Sequence, residues 1–537
     1  HRIFVREEIR IARNPDQGPP IHPHGPNGGS LHSRTTQHHP GSADLQVFFH
    51  FELPRQQEHG SAGARIVRLE RGDIIDRRLD PRSIEEYFGF GYVPEPRSIY
   101  RATSKLPPGH TLTLRYPQQR LPQPRPYWDV RFGAVSRSGD EEAVAVLRAK
   151  LREAVGIRLI AEVPLGAFLS GGVDSSSVVA MMAGLSQDPV NTCSIAFGDA
   201  DFDESAYAAQ VSKAFGTNHS VEHVDPDDYS LLDSLAAIYD EPFADSSALP
   251  TYRVCQLAKK HVTVVLSGDG GDEIIAGYRR YGWHDADLRL KQAIPHWGRA
   301  LLGNLGSLYP DPGWLPGRLR LRQKLLSMAQ DPVTAYFEIN AVMKNDLRAR
   351  LYRSDFRKEL QGYRADQVCH RHARQCAADD PVSLAQYLDI KTYLPGDILT
   401  KVDRASMAHA LEVRVPLLDH KLVEWAATLP ADQKRRGGEG KWLLKRAMQQ
   451  DLPHDILYRQ KRGFAVPLAN WFRGPLKERL RRDLLEGGLA KTGLFNQSYL
   501  EQLINEHQSG RRDHSAPLWS LLMFQATIRD DDFCVTG

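Results

Sequence analysis

From residue 140 onward the spacing of apolar positions changes repeatedly along the chain. Val144, Leu147, Leu151 and Val155 recur at three- and four-residue intervals and predict one face of a helix. The run Val163–Leu169 predicts a buried strand, followed by a helix over Ser176–Leu185. Thr192–Phe197 predicts a second strand, Glu204–Phe215 a further helix, and His261–Leu266 another β-branched strand. Strands alternating with helices imply an α/β fold with a parallel sheet flanked by helices. Beyond Tyr278 the pattern is mainly helical, through Val333–Phe337, Leu384–Leu394 and Lys441–Gln449. Upstream, order begins near Leu79. Ser83–Tyr92 reads as a short helix and turn, and Ile99–Lys105 and His110–Tyr116 read as strands joined by Pro107-Pro108-Gly109. Gln118–Pro126, rich in proline and arginine, reads as a connector. No internal repeat stands out.

Composition narrows the class. A chain of 537 residues exceeds one core and predicts two or more domains. Hydrophobic content of 41% and charged content of 25% are those of a globular protein. A net charge of +3 gives no reason to expect a nucleic-acid or membrane-surface partner. No apolar run approaches the length of a membrane span. Residues 1–65 hold eight of the 21 histidines, with many prolines and glycines and little periodicity. Such a stretch buries too little apolar surface to offset ordering, so 1–78 reads as a disordered or aberrant leader. Its histidines lack ligand spacing, which argues against a metal site. The opening His1-Arg2-Ile3-Phe4-Val5 runs into charges and makes no signal peptide. Cys193, Cys255, Cys369, Cys376 and Cys534 are an odd number, far apart and without a CxxC pair, as expected of reduced thiols in a cytoplasmic protein.

The most informative segment follows the first strand: Ser170-Gly171-Gly172-Val173-Asp174-Ser175-Ser176, then a helix. Two glycines let backbone N–H groups approach an anion, and a helix N-terminus adds its positive dipole end. Ser170, Ser175 and Ser176 can donate to phosphate oxygens. Asp174 among phosphate donors requires a cation between them, and Mg2+ bound through carboxylate and phosphates supplies it. A glycine-rich turn with a capping Asp would explain Ser-Gly-Gly alone; a strand before and a helix after favour a phosphate loop. No Walker A pattern occurs, which disfavours γ-phosphoryl transfer. A loop of this type holds the β- and γ-phosphates as a leaving pyrophosphate.

The strand His261–Leu266 runs into Ser267-Gly268-Asp269-Gly270-Gly271-Asp272-Glu273. Ligands gather at the carboxyl ends of parallel strands, so both glycine-acid segments are expected to face one crevice. Asp272 can supply the second carboxylate for Mg2+, and Ser267 and Gly268 can contact nucleotide through the backbone.

These segments resemble the asparagine synthetase family. The resemblance rests on Pro164–Ser176, Phe202-Asp203-Glu204-Ser205, Glu241-Pro242-Phe243-Ala244-Asp245, Leu266–Tyr278, Lys401–Met407, Glu412–Asp419 and Arg459-Gln460-Lys461-Arg462-Gly463-Phe464. It covers roughly 140–525, and its details are most similar to amidotransferases associated with exosortase and exopolysaccharide clusters. It implies an ATP pyrophosphatase domain of the adenine nucleotide alpha hydrolase type (a PP-loop fold) with a helical C-terminal part. ATP would touch Leu169, Phe197, Ser267 and Gly268, and Mg2+ would be held by Asp174 and Asp272. Asp269 would lie near the reacting acyl-adenylate, where the well-known bacterial pattern has Glu. Lys461 would stabilise the pentavalent phosphorus transition state; a cation placed where charge develops lowers the barrier most. The implied reaction adenylates a carboxylate, aspartate in the parent family, and ammonia then displaces AMP to give the amide.

The family's N-terminal pattern, Met-Cys-Gly-Ile with cysteine as the glutaminase nucleophile, is not matched. Residue 2 is Arg2, and no cysteine precedes Cys193, which lies in an apolar strand and reads as a core thiol. Only Leu79–Trp128 resembles a glutaminase domain, so 79–130 is expected to be a remnant of one, with an α+β, Ntn-type fold. No glutamine hydrolysis is expected of this sequence. An upstream frameshift or truncation, a degenerate domain with ammonia-dependent ligation, and another nucleophile, as in β-lactam synthetases, all remain open. So do a ligase acting on a sugar acid and a nonenzymatic nucleotide-binding protein. The family's mode of assembly admits a homodimer.

Overall fold

The structure, a computed structural model, describes residues 77–113, 122–133, 138–197, 203–224, 231–309, 322–459 and 466–528. Expectations for the leader up to residue 76, for Phe202, for the segment from Gln460 to Phe464 with Lys461, and for Cys534 lie outside the described residues. The chain divides into two compact units. Among described residues the larger holds 77–105 and 130–528, the smaller 106–129. In the smaller unit His110–Thr111 pairs antiparallel with Arg125–Pro126, so the end of the expected connector serves as a strand partner.

In the larger unit, α1 (Pro81–Phe90) starts as its sequence dictates. Asp80 caps it by accepting from the Arg82 N–H, and Pro81 takes the first turn. Leu79, Ile84, Tyr87, Phe88 and Ile99 join one apolar core with Leu500, Leu518, Trp519 and Phe524. The stretch 79–130 is therefore shared between units, and Leu79–Ile99 is core of the larger one. Ile99–Lys105, expected as a strand, forms only isolated bridges, Leu79 with Tyr100 and Arg97 with Ser104. The Ile99 N–H donates instead to Glu241 Oε1 at 3.0 Å, and its carbonyl accepts from the Asp80 N–H at 2.9 Å.

After α2 (Asp140–Gly156) comes a five-stranded sheet. Its strands are β1 (Leu165–Phe168), β2 (Asn191–Phe197), β3 (Asn218–Val224), β4 (Val264–Leu266) and β5 (Glu412–Arg414). All pairs are parallel, in the order β3-β2-β1-β4-β5. The helices α3 (Val173–Ala183), α4 (Ser205–Phe215) and α5 (Ala248–Lys259) connect the strands. Two strands have no apolar run to announce them. β3, Asn-His-Ser-Val-Glu-His-Val, lies at the sheet edge and is mostly polar, and β5 is three residues long. The helical part that follows includes α6 (Arg279–Ala293), α7 (His296–Leu308), α8 (Arg322–Ala329), α9 (Pro332–Asn340) and α10 (Pro381–Lys391). A π-helix over Leu394–Leu399 leads into α11 (Thr400–Met407), and α12 (Trp442–Ala447) lies further on. The strand order reverses between β1 and β4, so the crevice outside their carboxyl ends is the switch point where open α/β sheets bind ligands.

Candidate active site

β1 ends at Phe168, and the chain turns through Leu169–Gly172 into α3. The turn holds itself together. The Gly172 N–H donates to Ser170 Oγ at 3.3 Å, Ser175 Oγ donates to the Gly172 carbonyl at 3.2 Å, and the two serine hydroxyls lie 3.1 Å apart. Gly171 has φ +68°, and a Cβ there would sit 2.5 Å from Tyr207 Cβ and 2.7 Å from the Ala208 nitrogen on α4. Only glycine meets both demands. Ser176 Oγ is buried with no partner among the described residues.

The second loop follows β4, whose Leu266 lies opposite Ala167 of β1. A Cβ on Gly268 would fall 2.5 Å from the Ser175 nitrogen, so the two loops touch. Ser267 is buried and donates its hydroxyl to Asp269 Oδ2 at 2.7 Å. Leu169 and Phe197, at the carboxyl ends of β1 and β2, are buried. The first carboxylate, Asp174, and the second, Asp272, meet at one ammonium group. Lys441 Nζ contacts Asp174 Oδ2 and lies 2.8 Å from Asp272 Oδ1. Lys441 is 4% exposed and adopts φ +55°, a left-handed conformation costly for a residue with a side chain. Asp174 Oδ1 is buried without a partner among the described residues.

Lys441 was legible only as the start of a helix. The signal that could have singled it out is its place directly after Gly437-Gly438-Glu439-Gly440, at the N-terminus of α12. Arg459 is a second side chain that sequence reasoning left without a role. Its guanidinium donates to the Gly171 carbonyl at 3.2 Å and to Glu204 Oε1 at 2.6 Å, and stacks on Tyr207. It ties the phosphate-loop turn to the chain that continues toward Lys461.

Two buried acid clusters flank the loops. Burial, with Asp272 beside it, pushes the Glu273 carboxyl up to about 7; Tyr278 donates to it at 2.7 Å. Lys401 Nζ donates to Asp245 Oδ2 at 2.7 Å and Ser247 Oγ at 2.8 Å. Burial alone would raise Asp245, yet Lys401 and hydrogen bonds from Asp397 and Ser247 bring it down to about 2. Burial and neighbouring Asp245 push Asp397 far above the usual carboxylate range. Other matched residues hold the scaffold. Arg414 bonds Glu412 at 2.9 Å and the Arg158 and Ile160 carbonyls at 2.7 and 2.8 Å, and Arg158 pairs with Asp419 at 3.2 Å.

A loop of serines and glycines after one strand and paired acids after the next, at the reversal of a parallel sheet, is the framework of a nucleotide-dependent ligase. The family model described as asparagine synthase matches residues 146–529. This chain belongs to the asparagine synthase family. It is 29% identical over 456 residues to asparagine synthetase [glutamine-hydrolyzing] 1 of Bacillus subtilis, covering 84% of this chain and 68% of that protein. It is 32% identical over 465 residues to a putative asparagine synthetase [glutamine-hydrolyzing] of Mycobacterium tuberculosis, covering 84% and 67%. It is also 25% identical over 490 residues to amidase chyE of Penicillium rubens, covering 81% and 71%. As a member of this family the protein is a carbon–nitrogen ligase that uses ATP to form an amide.

Proposed function

We propose that the protein adenylates aspartate and transfers ammonia to it, giving asparagine, AMP and pyrophosphate. The observation that carries this reading is the convergence of Asp174 and Asp272 on Lys441 beside the Ser170–Ser176 loop. The hydroxyls of Ser170, Ser175 and Ser176 and the N–H groups of Gly171 and Gly172 bind the β- and γ-phosphates. Ser267, Gly268, Leu169 and Phe197 contact the rest of the nucleotide. Asp174, whose Oδ1 has no partner among the described residues, and Asp272 are hard oxygen donors that fit Mg2+. When bound there, Mg2+ supplies positive charge to the departing pyrophosphate. Lys441 holds the two carboxylates together before nucleotide enters and turns its ammonium toward the phosphates afterwards. Lys461, two residues beyond Arg459, places positive charge on the α-phosphorus as the carboxylate attacks. Asp269 accepts the proton that ammonia sheds on attacking the acyl-adenylate. Enclosure among the two loops keeps water from the intermediate.

We also assign no glutaminase role to the three buried cysteines. Cys193, Cys255 and Cys369 are buried, and burial pushes the Cys193 thiol up to about 11 and the other two higher, away from a thiolate. Residues 79–130 are assigned as a glutaminase remnant whose first part serves the synthetase core. ATP:PPi exchange, with aspartate and with sugar acids offered separately, tests the substrate. Exchange stimulated by a sugar acid but not by aspartate removes the aspartate assignment. Product analysis with ammonium or glutamine then identifies the nitrogen donor.

A further inference from the structure

An antiparallel bridge between Tyr352 and Phe495 brings together two distant stretches of the larger unit. The Arg353 N–H donates to the Leu494 carbonyl at 2.9 Å, and the Asn496 N–H donates to the Leu351 carbonyl at 2.7 Å. The helix Asn345–Leu351 ends at this bridge, and the helices Ser354–Glu359 and Gln497–Gln508 start from it. Among them lies a groove of about 880 Å3. That is within the range of small-molecule sites, about 300–1,000 Å3, and far larger than one ion needs. None of its lining residues belongs to the loops after β1 and β4, so the groove is separate from the candidate active site.

The charge of the wall decides what it takes. Arg350, Arg353 and Arg357 all line the groove, and no carboxylate among the described residues does. Arg353 and Arg357 are exposed and have no acidic partner among the described residues. Arg350 stacks over the Tyr499 ring at 5.4 Å and reaches Asp346 at 3.0 Å. Asp346 is shared with Arg322 at 3.3 Å, so one carboxylate meets two guanidinium groups and positive charge is left over. Three like charges in one concavity repel one another and focus a positive potential there, and an anion is the group that relieves them. A guanidinium presents a fork of N–H donors that matches the paired oxygens of phosphate and carboxylate. Asn496 and Ser498 add neutral hydrogen-bonding groups to the same wall.

We infer that the groove of Arg350, Arg353 and Arg357 binds a small molecule carrying two or more phosphate or carboxylate groups, outside the catalytic crevice. The inference is independent of which acid the protein amidates. It is tested by calorimetry of the full chain with fructose 1,6-bisphosphate and, separately, with citrate. The unmodified protein is expected to bind at least one of them saturably, and more weakly as salt rises; the tighter of the two names the anionic group. Arg353→Glu/Arg357→Glu is expected to bind that probe at least about tenfold more weakly. Both side chains are exposed, so its Tm is expected to match the parent's, which shows that the fold is intact. Lys213→Glu/Arg511→Glu makes the same change in net charge at exposed positions outside the groove and is expected to bind as the parent does. Failure of the unmodified protein to bind either probe overturns the inference. So does undiminished binding by the groove variant, or equal weakening in the two variants. The sequence past Ile528 carries Asp530, Asp531 and Asp532. Binding at least about tenfold tighter by a chain ending at Ile528 would assign the groove to those acids and overturn the inference equally.

Discussion

Lys441 is the side chain whose removal tests most. Lys441→Met keeps the length of the side chain and deletes its charge. Asp174 Oδ2 and Asp272 Oδ1 both lie within 2.8 Å of Nζ, so the two oxygens are less than about 6 Å apart. At an effective dielectric of about 20, two like charges at that distance repel by about 3 kcal/mol. Removing one partner from a buried ionic group costs about 3–5 kcal/mol in general, which agrees. All three side chains are less than 15% exposed, so solvent screens little of this. In a unit of this size the loss lowers Tm by about 5 °C. Mg2+ bears directly on the reasoning. In the unmodified protein the ammonium competes for the same two carboxylates, whereas in the variant Mg2+ alone can neutralise them. Millimolar Mg2+ without nucleotide is therefore expected to restore most of the lost Tm and to shift the variant more than the parent. ATP:PPi exchange is expected to stay at least about a hundredfold low even then. Differential scanning fluorimetry across a Mg2+ titration, beside exchange kinetics, makes the measurement. Unchanged Tm without Mg2+, or equal Mg2+ shifts in both proteins, refutes the argument.

Three further outcomes are expected. Gly171→Ala forces a side chain into a left-handed turn against α4, at about 1–2 kcal/mol or more, and nucleotide affinity by calorimetry is expected to fall at least about tenfold. The Glu273 carboxyl, at about 7 when folded against an ordinary 4.5, stabilises the fold fully below about pH 4.5 and loses that contribution as pH rises through about 7. Denaturant titrations from pH 5 to 8 should show a loss of up to about 3 kcal/mol from this group, and Glu273→Gln should flatten that slope. Glu85 accepts from Arg348 at 3.0 Å, Tyr352 at 3.0 Å and the Ala365 N–H at 3.1 Å, in a pair only 3% and 1% exposed. Glu85→Ala strands the arginine and is expected to cost about 3–5 kcal/mol in denaturant unfolding, with Glu85→Gln recovering part of it.

What the sequence determined by itself is local chemistry: which stretches alternate as strand and helix, and which short runs carry glycines, hydroxyls and acids next to a strand end. Those depend on neighbours a few residues away. β1, β2 and β4 and the loops after β1 and β4 were legible for that reason. Tertiary structure decided what depends on distant partners. β3 is mostly polar because it is an edge, and its place in the sheet follows from pairing with β2, not from any pattern of its own. Ile99–Lys105 has strand composition, but its backbone groups are taken by Asp80 and a Glu241 side chain far along the chain. Lys441 meets Asp174 across 267 positions, and no local spacing announces such a contact. The leucines of α7 lie in the stretch beyond Tyr278 that reads as mainly helical, and their exposure was decided by the tertiary structure, because a periodic pattern records which side is apolar and not whether the fold covers it.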